Sequence, residues 1–247
     1  MQFTPSEKNN GLLSPAQVHQ LAGRTAPETI ARFLALEDLS GTVSDVLDKL
    51  GIRGTVGSSI LAPTLPLARI VGTAVTVRNI PQEADPFQSV TTGKNRMAEV
   101  EGIHQAEPGD VLVIQGLPDV SNMGGIMATL AKRQKISGAV VDGGIRDVGQ
   151  SRRIDFPVWS RDMSPITGKW RCETVEVNGP VNIAGVSVQP GDLVIADETG
   201  TCFVPRAAIA KVLEMAETIT RQEAAILDEI GDGVPLPDLV KKLYGLA

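Results

Sequence analysis

Arg146 and Asp147 stand side by side at the end of the run Gly138 to Asp147, GAVVDGGIRD, and this pairing could hold an anion and a metal ion together. A guanidinium presents a planar fork to a carboxylate or phosphate, and a carboxylate is a ligand for a hard cation. Ala139-Val140-Val141 is a continuous apolar run, as in a strand buried on both faces. Gly143-Gly144 then predicts a tight turn. That turn would leave Arg146 and Asp147 at the carboxyl end of the strand, where open α/β sheets gather their ligands. An ordinary surface ion pair has the same composition, so the dipeptide needs support from elsewhere in the chain.

The support lies upstream. Asn122 to Lys132, NMGGIMATLAK, predicts a helix opened by glycine, with apolar residues at Ile126, Met127, Leu130 and Ala131 and with Lys132, Arg133 and Lys135 near its end. The start of such a helix offers free backbone N–H groups and a partial positive charge to an anion. Strand, glycine-led helix, strand and glycine turn form one βαβ-like unit whose two loops could converge on one ligand.

The spaced pair GGIMATLA and GGIRD resembles the family that contains regulator of ribonuclease activity A and the class II pyruvate aldolases acting on 4-hydroxy-4-methyl-2-oxoglutarate and 4-carboxy-4-hydroxy-2-oxoadipate. The resemblance runs from about Thr42 to Pro205. It implies that Arg146 binds a pyruvyl group, that Asp147 is the protein ligand of Mg²⁺ or Mn²⁺, and that the backbone of Gly124, Gly125, Ile126 and Met127 receives a substrate carboxylate. It also implies catalytic acids from a neighbouring subunit, matched here by Asp45 and Glu198, with Asp197 or Glu223 as alternatives to Glu198. The implied fold is the β/β/α swivelling type, similar to a phosphohistidine domain, assembled as a homotrimer or homohexamer with sites at subunit interfaces. At Gly125 this chain departs from the aldolases, which carry there an acid that moves protons through water.

Composition narrows the remaining classes. The 247 residues contain 42% hydrophobic and only 3% aromatic side chains, and the formal charge is −6. Base-stacking nucleic-acid readers need aromatics, and phosphate backbones recruit basic surfaces, so nucleic acid is not an expected partner. Two cysteines, Cys172 and Cys202, lack CxxC spacing, and the two histidines, His19 and His104, are far apart in sequence, which argues against zinc and iron–sulfur sites. Cys202 reads as a core thiol, and His104 as a helix end. No GxGxxG or GxxxxGK[ST] loop is present. The polar opening MQFTPSEKNN and the lack of a long apolar run predict a cytoplasmic protein without a membrane segment.

One domain over residues 1–247 is expected, with a helical segment at 1–50 and another at 205–247. Short helices are predicted from Ser14-Pro15 towards Leu21, over Pro27 to Leu36, and from Val43 to Leu50 with Gly51 as the C′ residue. Strands are predicted at Gly72 to Val77, Asp110 to Ile114, Ala139 to Val141, Pro157 to Trp159, Thr174 to Val177, Asp192 to Ala196 and Thr201 to Val204. Helices separate the early strands but only turns separate the later ones, so the expected class is α/β with a mixed sheet, flanking helices and a C-terminal helix. Asp142 is expected to cap the glycine turn, and Arg161 to support the same mouth or to pair with Asp155. The activity implied is a divalent-metal-dependent carbon–carbon lyase that acts on a small 2-oxo acid and releases pyruvate. A non-catalytic regulator that binds a ribonuclease is the alternative.

Overall fold

The computed structural model describes residues 10–244, so most of the polar opening lies outside them. Its helices and strands follow the order α1 (Pro27–Leu34), α2 (Leu39–Lys49), β1 (Thr55–Gly57), β2 (Ala62–Pro63), β3 (Ile70–Pro81), α3 (Pro86–Thr92), α4 (Glu99–Gln105) and β4 (Val111–Gln115). Then come β5 (Ser121–Met123), α5 (Gly125–Arg133), β6 (Gly138–Ile145), α6 (Val148–Arg153), β7 (Val158–Met163) and β8 (Cys172–Val177). The chain ends with β9 (Val181–Ile183), β10 (Val186–Val188), β11 (Leu193–Ala196), β12 (Gly200–Val204), α7 (Ile209–Gly231) and α8 (Leu236–Tyr244). No helix among the described residues is long and apolar enough to cross a membrane.

The main sheet is mixed. Its path is β1-β12-β11-β3-β4-β6-β7-β2, with β5 attached to β6 and β8 to β3, and β9 and β10 form a separate hairpin. The neighbours β3, β4, β6 and β7 are parallel, whereas β11, β12, β1 and β2 join antiparallel. β3 is longer than predicted because it is shared. Ile70 to Thr73 pair with β11, Ala74 to Arg78 with β4, and Val77 to Pro81 with β8. One apolar cluster joins β4 and β6 to α4 and α5, and a second buries α1, α2 and the first turns of α7 against β11 and β12.

Three local expectations are corrected. The helix from Ser14 shrinks to a single 3-10 turn, Pro15–Gln17, because the chain beyond it is drawn onto β8 by a Val18–Val177 bridge and the His19 N–H donating to Val177 O. α2 starts at Leu39, ahead of Val43. Asp197 caps it from the β11–β12 turn, accepting the Ser40 N–H at 2.8 Å and the Ser40 hydroxyl at 2.7 Å.

The third correction concerns Gly143-Gly144, which does not turn: β6 runs through both to Ile145. The glycines serve close approach instead. A Cβ on Gly143 would sit 2.6 Å from Leu117 O, and one on Gly144 would sit 2.6 Å from Val120 O. The change of direction comes at Asp147, whose φ of 56° is left-handed. Within this longer strand Asp142 caps nothing at the glycines. It accepts Arg161 Nε at 2.7 Å and the Ala184 N–H at 2.6 Å, so Arg161 pairs with Asp142 and not with Asp155.

Candidate functional site

β5 and β6 are adjacent and parallel, so their carboxyl ends lie on one side of the sheet. α5 leaves the end of β5 and α6 leaves the end of β6, which brings both loops together; the Arg146 N–H donates to Met123 O at 3.1 Å. Gly124, Gly125, Ile126, Met127, Arg146 and Asp147 thereby line one pocket of about 100 Å³. That space suits a small acid. The four backbone residues and the Arg-Asp pair singled out in the sequence are therefore brought together.

Local chemistry explains the geometry. Asp147 occupies the N-cap position of α6, yet its side chain caps the other helix: Oδ2 accepts the Gly125 N–H at 3.0 Å. Its left-handed backbone, which aspartate tolerates better than most residues, turns the carboxylate back in that direction. Gly124 leaves the necessary room, since a Cβ there would lie 3.0 Å from Asp147 Oδ2 and 3.2 Å from Arg146 Nε. Beyond Gly125, the Ile126 and Met127 N–H groups belong to the first turn of α5, where no i−4 carbonyl is available to them.

Arg146 and Asp147 are partly exposed and meet only loosely, with Nε 3.6 Å from Oδ2. An exposed contact of that length contributes little to stability. The guanidinium fork therefore remains available to an anion. Among the described residues no group of three or more His, Cys, Asp or Glu is placed to hold a metal ion. Asp147 fits a divalent cation as a single protein carboxylate, the mode in which Mg²⁺ keeps several waters and takes further oxygens from its substrate.

Asp45 and Glu198 are not in this pocket. Asp45 is exposed on α2, and Glu198 is exposed in the β11–β12 turn, where it lines a separate cleft with Glu37, Asp38 and Arg69. Glu223 is exposed on α7. Asp197 is committed internally: besides Ser40, it accepts the Thr199 hydroxyl at 2.6 Å and the Thr199 N–H at 2.9 Å. Burial pushes its carboxyl up, but the hydrogen bonds from Thr199 and Ser40 outweigh this and hold it below the usual carboxylate value.

Several lining residues had been given no site role from the sequence, namely Met97, Glu99, Ser121, Asn122, Thr167 and Lys169. Glu99 is the only carboxylate among them. Burial pushes it up to about 7, against the opposing pull of its own backbone N–H and of the Lys169 ammonium. No local pattern marks Glu99, because it reaches the pocket only through the packing of α4 on β3 and α5. Cys172 and Cys202 are both buried, and burial pushes both thiols up to about 12, so neither is poised as a nucleophile.

The mixed sheet thus brings a helix N-terminus, a loosely paired guanidinium and two carboxylates, those of Asp147 and Glu99, to one small pocket. The chain belongs to the RraA-like family, whose Aldolase/RraA model matches residues 40–203. A relative from Halalkalibacterium halodurans, named "Putative 4-hydroxy-4-methyl-2-oxoglutarate aldolase", is 31% identical over 78% of this chain and 84% of its own. An uncharacterized Pseudomonas syringae protein of known structure is 29% identical, with a TM-score of 0.74 over 88% of this chain and 98% of that one. A Streptomyces coelicolor structure, described as an unusual member of the RNase ES inhibitor RraA protein family, is 26% identical, with a TM-score of 0.68 over 82% and 96% of the two chains. The α/β class of this chain, a mixed sheet with flanking helices and a C-terminal helix, is the one expected from its sequence.

Proposed function

We propose that this protein is a divalent-cation-dependent carbon–carbon lyase that acts on a small 2-oxo acid and releases pyruvate. The observation that carries the reading is the convergence of Arg146, Asp147 and the start of α5 on one pocket. The aldolase name of the 31% identical relative supports the same class. The first-turn N–H groups of Ile126 and Met127 bind the substrate carboxylate, helped by the positive end of the α5 dipole. Arg146 donates to the 2-oxo oxygen and opposes the charge that develops there as the C3–C4 bond breaks. Asp147 would hold Mg²⁺ or Mn²⁺, and the bound cation supplies Lewis-acid stabilisation of that same charge.

Asp45 and Glu198 are assigned to the pocket of a neighbouring copy in a trimer or hexamer. Both are exposed and lie outside their own chain's pocket, which is the arrangement that role requires. The likeness to the Streptomyces protein supports a second reading, a non-catalytic regulator that binds a ribonuclease. The two are separated by incubating purified protein with Mg²⁺ or Mn²⁺ and a panel of 4-hydroxy-2-oxo acids and oxaloacetate. Pyruvate release above the protein-free rate supports the lyase. Failure on the whole panel, with inhibition of a ribonuclease, supports the regulator.

A further inference from the structure

Glu99 lies on the wall of the pocket formed by Arg146, Asp147 and the start of α5, and Asp147 is the only other carboxylate among the lining residues. Asp147 is already engaged by the Gly125 N–H and faces Arg146. Gly125 itself offers no acid, and Gln150 fills the space beside it: a Cβ on Gly125 would come within 2.7 Å of Gln150 Cδ. A lyase of this kind needs a group that takes and returns a proton. From these placements we infer that Glu99 is the proton-transferring catalytic residue that this chain itself contributes to the pocket, beside Asp45 and Glu198 of a neighbouring copy, an inference that rests on the lyase reading above.

Its first-turn position on α4 suggests a simpler role, since a glutamate there can pair its carboxylate with free N–H groups of the helix. Such pairing alone would keep the group ionised at low pH. Glu99 instead sits at about 7, because burial outweighs the backbone N–H and Lys169. A carboxyl near neutrality is ionised often enough to act as a base and protonated often enough to act as an acid. The other ionisable groups around it are Arg146, Asp147 and Lys169 in the pocket, Cys172 on β8, and Glu101 and His104 on α4. β3 and α5 place no ionisable side chain among the lining residues.

The steps balance with this one group. In retro-aldol cleavage the Glu99 carboxylate takes the proton of the C4 hydroxyl, and the O–H electron pair forms the new carbonyl. The C3–C4 bonding pair remains on the C3 side as the enolate of pyruvate. Glu99 then returns the proton to C3 and is again a carboxylate. In decarboxylation CO₂ leaves with the same bond cleavage, protonated Glu99 delivers its proton to C3, and water recharges it.

Run backwards, the last step removes a proton from the methyl group of pyruvate, so it can be observed without knowing the physiological substrate. The test follows loss of the methyl proton signal of pyruvate in D₂O with Mg²⁺ by nuclear magnetic resonance. The proteins are the wild type, Glu99→Gln, Glu99→Asp and Lys169→Met. Wild-type exchange should rise with pH to a plateau, the form expected of a base. Glu99→Gln should slow exchange about 10²-fold or more while pyruvate affinity and thermal stability stay unchanged. Glu99→Asp, which keeps a carboxyl, should recover part of the rate. Lys169→Met, which removes an opposing cation, should move the limb to higher pH. Exchange by Glu99→Gln within threefold of wild type, or an unmoved pH limb in Lys169→Met, would overturn the assignment while leaving the lyase reading intact. A wild type that neither exchanges pyruvate nor cleaves any 2-oxo acid would overturn the lyase reading and this inference with it.

Discussion

Gly125→Asp would place the acid of the related aldolases on a chain whose surroundings are built without it. A Cβ there overlaps Gln150 Oε1, lies 2.7 Å from Gln150 Cδ and 3.1 Å from Asp147 Cβ. Gln150 is the softer obstacle. It can swing away by giving up the hydrogen bond from its Nε2 to Thr129 Oγ1, 3.0 Å long, which costs about 0.5–1.5 kcal/mol. Asp147 yields less readily, because its bond from the Gly125 N–H involves a charged group and is worth about 1.5–3 kcal/mol. A new carboxylate beside it adds like-charge repulsion. Partial loss of both contacts gives about 2 kcal/mol, or a fall in Tm of roughly 4–8 °C for a chain of this size. Activity should fall as well, since Asp147 is displaced from the pocket. Gln150→Ala removes the nearest obstacle, so the double variant should be more stable than the two single effects added together, by at least about 0.5 kcal/mol. Thermal unfolding by circular dichroism and a coupled assay of pyruvate release read both effects. A single variant with unchanged Tm and rate, or strictly additive losses in the double variant, would refute this account of the Gly125 environment.

Arg146→Lys should lower kcat/KM at least tenfold, because an ammonium cannot copy the fork; Tm should stay within a degree or two, since the Arg146–Asp147 contact is loose. An unchanged rate would make Arg146 structural only. Asp197→Ala leaves the donors on Ser40 and Thr199 without their acceptor and should cost about 2–4 kcal/mol by chemical denaturation at pH 7. The Asp197 carboxyl lies below its ordinary value of 3.8, so its contribution is fully present above that pH and is lost as pH falls through the lower folded value. The wild type's advantage over Asp197→Ala should accordingly shrink as pH falls below 3.8, and a constant difference would count against the assigned hydrogen bonds. Iodoacetamide at pH 8 should alkylate neither cysteine in the native protein and both after denaturation, because burial holds both thiols near 12. Rapid native labelling of Cys172 would contradict its placement.

The heart of the pocket was legible because each half is a continuous motif. Gly124 to Met127 open a helix, Arg146-Asp147 close a strand, and two parallel neighbours suffice to bring them together. Glu99 was not legible, since the contacts that carry it to the pocket lie between elements distant in sequence. Gly143-Gly144 misled for a physical reason: a missing Cβ serves a turn or a close approach equally well, and only the Leu117 to Val120 loop packed against β6 decides for the second. The partnership of Arg161 with Asp142 was missed through the same error, because only a strand that continues past Gly143 puts the two side chains within reach across β6 and β7. β1, β2 and the β9–β10 hairpin escaped prediction because strands of two or three residues carry too little alternation to detect. The start of α2 was misplaced because Asp197, far along the chain, supplies its cap.

The central claim, that Asp147 and Arg146 serve a cation-dependent cleavage of a 2-oxo acid, is tested most directly by the rate of pyruvate release from the best substrate of the panel. The rate is measured in Mg²⁺ or Mn²⁺, after chelation and after the cation is restored, for the wild type and for Asp147→Asn, with the protein-free rate subtracted throughout. Chelation should abolish wild-type turnover and the restored cation should recover it, while Asp147→Asn should remain at least a hundredfold slower at every cation concentration that saturates the wild type. Full turnover in chelator, or an Asp147→Asn variant as fast as the wild type, would contradict it.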